Sequence, residues 1–357
     1  MTKTVKTAQY GCGKMGRYLI RYMMEKGAEV VAAFDNDPSV IGMDIGEYIG
    51  GGKTGLLISD SRDAEKILQE TQPDVCVIAT TSTLEEIRES LEICARNRIN
   101  AISTCEESLY PWNSSPDLCR ELDQLAKEYG VTLTGSGYPD MYWGVLIDTL
   151  AGSMHKITKI KGVSSYNVED YGIALAKGHG AGLSTAEFAK QIGNHNNLGA
   201  EEQQKLVTSG EYVPSYMWNQ NGWLCERMDL TPISQVQKCV PTTHTEDLYS
   251  ETLGMTIKAG NPTGMSAIVI TETKEGITIE TECIGNVYAP GDFDRNDWTF
   301  YGEPDTTVNV NRPATVELTC ANLVGRIPAL IKSEPGYITT DKLPNNVYLS
   351  KKLGEYI

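Results

Sequence analysis

The sequence is short of the residues that build metal centres and disulfide frameworks. Four histidines stand in 357 residues with no HxH or HxxxH spacing, and the nine cysteines are odd in number and contain no CxxC pair. No metal site is therefore expected, and scattered thiols suit a reducing compartment. Positive charge is short as well: 31 lysines and arginines against 47 acidic residues give a net charge of −16. A phosphate-rich surface would be repelled, so neither nucleic acid nor an anionic membrane is an expected partner. No apolar run approaches the roughly 18 residues of a membrane span, and no charged-then-apolar signal stretch opens the sequence, so the expected location is the cytoplasm. Internal repeats and low-complexity segments are missing too.

What is present begins with length. At 357 residues and 40% hydrophobic content the chain exceeds one ordinary core and can fill two. The first part is organised around Gly11-Cys12-Gly13-Lys14-Met15-Gly16, which follows a β-prone run, Thr4 to Gln9, and opens a stretch with Met15, Leu19, Ile20 and Met23 at helical spacing. Glycines at these positions permit a tight turn, backbone approach to a pyrophosphate and close packing of helix on strand. A second strand, Glu29 to Phe34, ends in Asp35, nineteen positions past Gly16, where a dinucleotide fold holds the adenosine ribose hydroxyls. The following loop, Asn36-Asp37-Pro38, is acidic and carries no cation, which favours NAD over NADP while leaving NADP possible.

Further strands follow in alternation with helices. Thr54 to Ser59 reads as a third strand, and Val75 to Ala79 is a continuous apolar run of the kind a parallel sheet buries on both faces. Thr80, Thr81 and Ser82 lie at its carboxyl end as candidate cofactor neighbours, with Ser82 or Thr83 also able to cap the next helix. A fifth strand, Asn100 to Thr104, puts Thr104 beside the cofactor and runs into Cys105-Glu106-Glu107. Since side chains alternate along an extended chain, one of the two glutamates is expected in the cleft. A sixth strand, Val131 to Thr134, leads to Gly135-Ser136-Gly137-Tyr138-Pro139-Asp140, and the alternation stops near Gly152.

From Lys156 the pattern changes to alternating strands and long loops, most clearly in Ser266 to Thr273 followed by Ile277 to Cys283, an antiparallel hairpin with one wet face. The expected architecture is α/β: an N-terminal Rossmann doubly wound parallel sheet over residues 1–152 and a C-terminal α+β domain with a mainly antiparallel sheet over 153–312. A helix and tail, 313–357, return to the first domain. A homodimer through the second domain's sheet is the default for such a plan.

The assembled motifs resemble the 2,4-diaminopentanoate dehydrogenase family, which includes NAD(P)-dependent amine dehydrogenases and is distantly similar to dihydrodipicolinate reductases. The resemblance rests on Gly11 to Gly16, on Ile102-Ser103-Thr104-Cys105-Glu106-Glu107 with Tyr110-Pro111, on Gly178 to Phe188, and on Asn322 to Pro328 with Glu334-Pro335-Gly336. It implies oxidative deamination of a small-molecule amine, with Glu106 and Glu107 as the catalytic candidates and Glu106 as the residue that takes a proton from the amine. It also implies that Tyr138, Pro139 and Asp140 form pocket wall, with Asp140 either holding a second ammonium or standing in solvent. Tyr166, Asn167 and His179 are further pocket candidates by the same match. The nearest rivals are a sugar or polyol dehydrogenase, which carries Glu-Lys-Pro where this chain has Glu106-Glu107-Ser108, a dihydrodipicolinate reductase, whose Lys-x-x-x-Ser-Gly-Thr motif is missing, and a non-catalytic NAD-binding sensor.

Overall fold

The computed structural model describes residues 3–357 and divides them into two units. The first takes the chain to Val145 and again from Ala314 to Ile357, and the second is Leu146–Pro313. The first unit alternates β1 (Lys6–Tyr10), α1 (Lys14–Glu25), β2 (Glu29–Asp35), α2 (Ile45–Tyr48), β3 (Ser59–Asp60), α3 (Ala64–Thr71), β4 (Val75–Ile78), α4 (Leu84–Arg96), β5 (Asn100–Ser103), α5 (Pro116–Tyr129) and β6 (Thr132–Gly135). The second unit holds α6 (Leu146–Ala151), β7 (Lys156–Asn167), α7 (Ile173–Gly178), α8 (Thr185–Phe188), α9 (Asn194–Asn196), α10 (Ala200–Thr208) and α11 (Tyr216–Arg227). Then follow β8 (Pro232–Thr243), β9 (Leu248–Ser250), β10 (Met255–Ile257), β11 (Pro262–Thr273), β12 (Thr278–Asn286), β13 (Arg295–Glu303) and β14 (Thr306–Asn311). The chain re-enters the first unit with α12 (Thr315–Lys332) and β15 (Gly336–Tyr337).

The first sheet has the order β15-β6-β5-β4-β1-β2-β3 with every pair parallel, so all seven carboxyl ends share one edge. Helices cover both faces, which is why β4 reads as unbroken apolar sequence. Cys76 and Ile78 enter the core beneath α3, α4 and α5, while Val75 and Val77 enter the opposite core with Leu19 and Met23 of α1, Leu323 and Ile327 of α12, and Leu349 and Leu353 of the tail. Full burial of each such side chain contributes roughly 1.5–3 kcal/mol. The strand order reverses between β1 and β4, and ligands of open α/β sheets bind in the crevice outside such a reversal.

Two expectations are corrected here. The third strand is Ser59–Asp60 only, because the buried Asp44 carboxylate gathers the amides of Gly46, Thr54 and Gly55 and holds the preceding chain in turns. The first unit ends at Val145, not near Gly152. Asp140, just before that point, is ion-paired to Arg326 within the first unit, whereas Asp148 pairs with Arg227 within the second.

The second unit's six-stranded sheet runs β14-β13-β7-β12-β11-β8 and is antiparallel apart from the parallel pair β7 and β12. Strands β11 and β12 form the expected hairpin, with Ile268 opposite Glu282 and Ile270 opposite Glu280. Helix α11 covers one face of this sheet. Its Asn221 amide donates to the Thr271 hydroxyl at 3.0 Å and its carbonyl accepts from Thr281 at 2.8 Å, so these three side chains are satisfied on burial.

Candidate active site

The glycine loop between β1 and α1 is shaped for an anionic cofactor. Gly11 has φ +91°, and a Cβ there would run into the Ala79 carbonyl and come within 2.9 Å of Thr80 Cγ2. A Cβ on Gly16 would strike the Gly11 carbonyl, whereas one on Gly13 would meet nothing within 4 Å. The first and third glycines therefore serve internal packing, and the second leaves open space where a pyrophosphate can approach backbone amides at the start of α1. No acidic residue occupies the first turn of that helix. The residues present thus fit a dinucleotide, with Lys14 and Gly13 exposed and Met15 half-buried beside the loop. Cys12 is buried, and burial with the Asp35 charge pushes its thiol up to about 12, so it is an inert thiol.

Asp35 closes the loop from the β2 side. Its Oδ2 accepts from the Cys12 amide at 2.6 Å and its Oδ1 from the Asp37 amide at 2.8 Å. Beside it opens a cavity of about 570 Å³. The Asn36–Pro38 loop is exposed and supplies no cation, but Lys14, Arg17 and Arg21 of α1 line the same cavity with Asp35 and Asp37. The charge beside Asp35 is therefore set by two elements, the acidic loop and the cationic face of α1. Thr80, Thr81 and Ser82 stand exposed at the end of β4, and Thr83 caps α4 through a box with Glu86. Thr104 is half-buried, its amide donating to the Ile78 carbonyl.

The two glutamates after β5 part company. Glu107 Oε2 accepts from the Leu84 amide at the start of α4, and Oε1 accepts from the Ser114 and Ser115 hydroxyls, each at 2.6 Å. Both of its oxygens are spent on fastening α4 to the turn before α5, so its assignment as a catalytic residue is withdrawn. Glu106 is half-buried. Burial pushes its carboxyl above the ordinary glutamate range, opposed by a hydrogen bond from Ser82. A carboxylate at a strand's carboxyl end whose proton affinity burial has raised is suited to take a proton.

Asp140 is neither a solvated acid nor free for a substrate ammonium. It is fully buried against a fully buried Arg326, with Nη2 to Oδ1 at 2.8 Å and Nε to Oδ2 at 2.9 Å, while Ser136 and Asn322 donate to the same Oδ2. Both oxygens of its carboxylate are engaged by this buried network with Arg326, Ser136 and Asn322, so the substrate-binding role expected of Asp140 is withdrawn. Tyr138 is buried next to it, stacked on Tyr142 at 4.4 Å and edge-on to Trp143 at 5.8 Å, with Pro139 half-buried.

In the second unit, Tyr166 and His179 come together. His179 Nδ1 faces the Leu175 carbonyl at 2.9 Å and must donate to it, so Nε2 accepts from the Tyr166 hydroxyl at 2.7 Å. Burial lowers the His179 pKa and keeps the ring neutral. Gly285 makes room for the pair, since a Cβ there would lie 2.6 Å from His179 Cδ2. Asn167 instead uses its side-chain oxygen to accept from the Glu169 amide. All nine cysteines are buried free thiols. Among the described residues no group of three or more His, Cys, Asp or Glu is placed to hold a metal, and no helix is long and apolar enough to cross a membrane.

Sequence reasoning missed Arg17, Arg21, Tyr48 and Arg326. The arginines were visible as an i, i+4 pair on one face of α1. Arg326 was visible as a cation in the middle of a largely apolar helical stretch.

Known proteins resemble the chain in sequence and in fold. Residues 5–105 match the family of dihydrodipicolinate reductase N-terminal domains. The amine dehydrogenase from Mycobacterium smegmatis superimposes with a TM-score of 0.84 and 35% identity over 98% of each chain. The 2,4-diaminopentanoate dehydrogenase of Acetoanaerobium sticklandii is 25% identical over 209 residues, 55% of this chain and 58% of that one. The 4-hydroxy-tetrahydrodipicolinate reductase of Methanocaldococcus jannaschii is 36% identical over 102 residues, 28% of this chain and 36% of that one. The chain thus spans less than two thirds of the length of these two curated relatives.

Proposed function

The chain belongs to the dihydrodipicolinate reductase-like amine dehydrogenase family, and on that premise we propose that it oxidatively deaminates a small amine or diamino acid such as 2,4-diaminopentanoate. The products are the ketone and ammonia, and the cofactor is a nicotinamide nucleotide, NAD being accepted. When bound, that cofactor accepts a hydride at C4 of its nicotinamide ring. A protonated amine cannot release hydride, so the first task of the protein is to take a proton from the substrate ammonium. The observation that supports Glu106 in this role is its half-buried carboxyl, lifted above the usual range, beside a Glu107 that is fully engaged elsewhere. Its negative charge stabilises the iminium cation formed on the substrate, and the same carboxylate then directs water to that carbon. No lysine occurs between Thr104 and Ser115, so the alcohol chemistry of a Glu-Lys-Pro site lacks its base.

Tyr138 and Pro139 are proposed as substrate-pocket wall, and the Tyr166–His179 couple as neutral hydrogen-bonding groups for a polar substituent. With Asp140 engaged, preference for a diamino acid over a monoamine rests on the relative and not on that carboxylate. A second copy of the chain is the proposed partner of the sheet face that α11 leaves uncovered, where Val236, Ile268 and Ile270 lie among Lys238 and Glu280. The test is NADH formation with ammonia assayed in parallel, using 2,4-diaminopentanoate and a series of short amines. Equimolar NADH and ammonia are expected. NAD binding without turnover of any amine would support a sensor instead.

A further inference from the structure

Tyr166 and His179 are joined by a hydrogen bond whose direction is fixed from behind. The Leu175 carbonyl accepts from the His179 backbone amide at 2.9 Å and faces Nδ1 of the same residue at 2.9 Å, and a carbonyl can only accept. The proton of the neutral ring therefore sits on Nδ1. Nε2 keeps a lone pair, and the Tyr166 hydroxyl gives it its single proton across 2.7 Å. Burial is the main influence on the His179 titration and favours the neutral ring, with only the Leu175 contact opposing it.

What the pair presents is then one-sided. The Tyr166 oxygen has spent its proton and keeps only lone pairs, so a further group that meets it must donate. A carboxylate in that place would set lone pair against lone pair. The oxygen is also held in position. Gly285 of β12 stands in register with Tyr166 of β7, and a Cβ there would lie 2.8 Å from both His179 Nε2 and the Tyr166 hydroxyl. The Tyr171 ring stands edge-on to Tyr166 with centroids 5.5 Å apart, and Tyr171 is 47% exposed. No lysine or arginine occurs from Gly162 to Ala176, whereas Glu169 and Asp170 directly precede Tyr171. An acceptor-only oxygen between aromatic rings, on a stretch of chain without cations, suits an ammonium.

We propose that the Tyr166–His179 couple selects a substrate whose second polar group is an ammonium and turns away one that brings a carboxylate to the same place. The inference rests on the reading of the chain as an amine dehydrogenase and narrows its substrates from small amines to diamines. Tyr166 is the group that meets the substrate, and His179 is the positioning residue that sets the direction of its proton.

The test uses 2-aminopentane, 2,4-diaminopentane and 3-aminobutanoate, which carry no polar group, an ammonium or a carboxylate two carbons from the reacting one. Binding of each to the full chain with NADH present is measured by calorimetry, and turnover with NAD separately. The diamine is expected to bind about 10-fold more tightly than the monoamine, and the amino acid more weakly than either. Tyr166→Phe should remove that diamine advantage, with thermal unfolding as the check that the variant folds; the wild-type order decides alone if it does not. Nitrogen-15 NMR of the imidazoles, with the His179 signal identified by its loss in His179→Gln, should find the ring proton on Nδ1. A proton on Nε2, a diamine bound no better than the monoamine, 3-aminobutanoate bound most tightly, or an advantage that survives in folded Tyr166→Phe overturns the proposal and leaves deamination standing. Turnover of none of the three counts against deamination, and the binding order then still decides the role of Tyr166. Folded protein that binds none of them overturns both.

Discussion

Glu106 and Glu107 are one chemical group in adjacent positions, and their fates are set by neighbours. The Leu84 amide and the Ser114 and Ser115 hydroxyls hold Glu107 in place, whereas Glu106 meets Ser82 alone among the side chains that shift its titration. Removing that hydroxyl in Ser82→Ala should raise the Glu106 pKa further, so the acid limb of the pH–rate profile for deamination moves to higher pH. A limb that stays put or moves to lower pH would count against Glu106 as the base. A stability effect follows from the same burial. A carboxyl whose folded pKa is raised favours the folded state below its unfolded value, near 4.3, and loses that contribution as pH rises through the folded one. Glu106→Gln should therefore melt higher than wild type at pH 8, with the gain fading toward pH 4, as thermal unfolding across pH would show. The sequence placed a carboxylate pair at the strand end because the β5 pattern is local. It could not sort the pair, since Leu84 and Ser115 meet Glu107 only after folding. Asp140 was misjudged for the same reason, its partner Arg326 lying far along the chain.

At the scale of elements, the buried Asp140–Arg326 pair ties the end of β6 to α12, with Asn322 and the Pro344 carbonyl completing the network. Breaking one side leaves an uncompensated buried charge, so Asp140→Asn should cost about 3–5 kcal/mol in chemical denaturation. A double variant, Asp140→Leu with Arg326→Met, should recover much of that loss, because a buried ion pair is close to neutral against apolar replacements. A double variant no more stable than the single one would mean that Ser136 and Asn322 dominate the network. Glu107→Ala should lower stability by about 1–3 kcal/mol through the donors it orphans at α4, while each folded molecule retains far more activity than Glu106→Gln. Elements with strong period were legible: the α1 stripe, the apolar β4 and the alternating β11–β12 hairpin. Those set by long-range partners were not. Asp44 turned the expected third strand into a loop, and the sheet gained β15 from a tail whose two-residue strand carries no local signal.

For the molecule as a whole, a charge of −16 describes the average surface and not the cofactor pocket, where α1 supplies three cations. Composition made nucleic-acid and anionic-membrane partners unexpected, yet it said nothing about a cavity whose sign differs from the mean. The uncovered sheet face of the second unit leads to an assembly prediction. The wild-type chain should sediment as a dimer at micromolar concentration, and Ile270→Lys, set beside Glu280, should shift it to monomer. A monomeric wild type would remove that surface from the account. The central claim is that Glu106 takes the substrate's proton. It is tested most directly by single-turnover hydride transfer from a saturating amine in Glu106→Gln, with NAD affinity measured separately. The account predicts unchanged NAD binding and a rate reduced by about 10²–10⁴. Hydride transfer at the wild-type rate would contradict it.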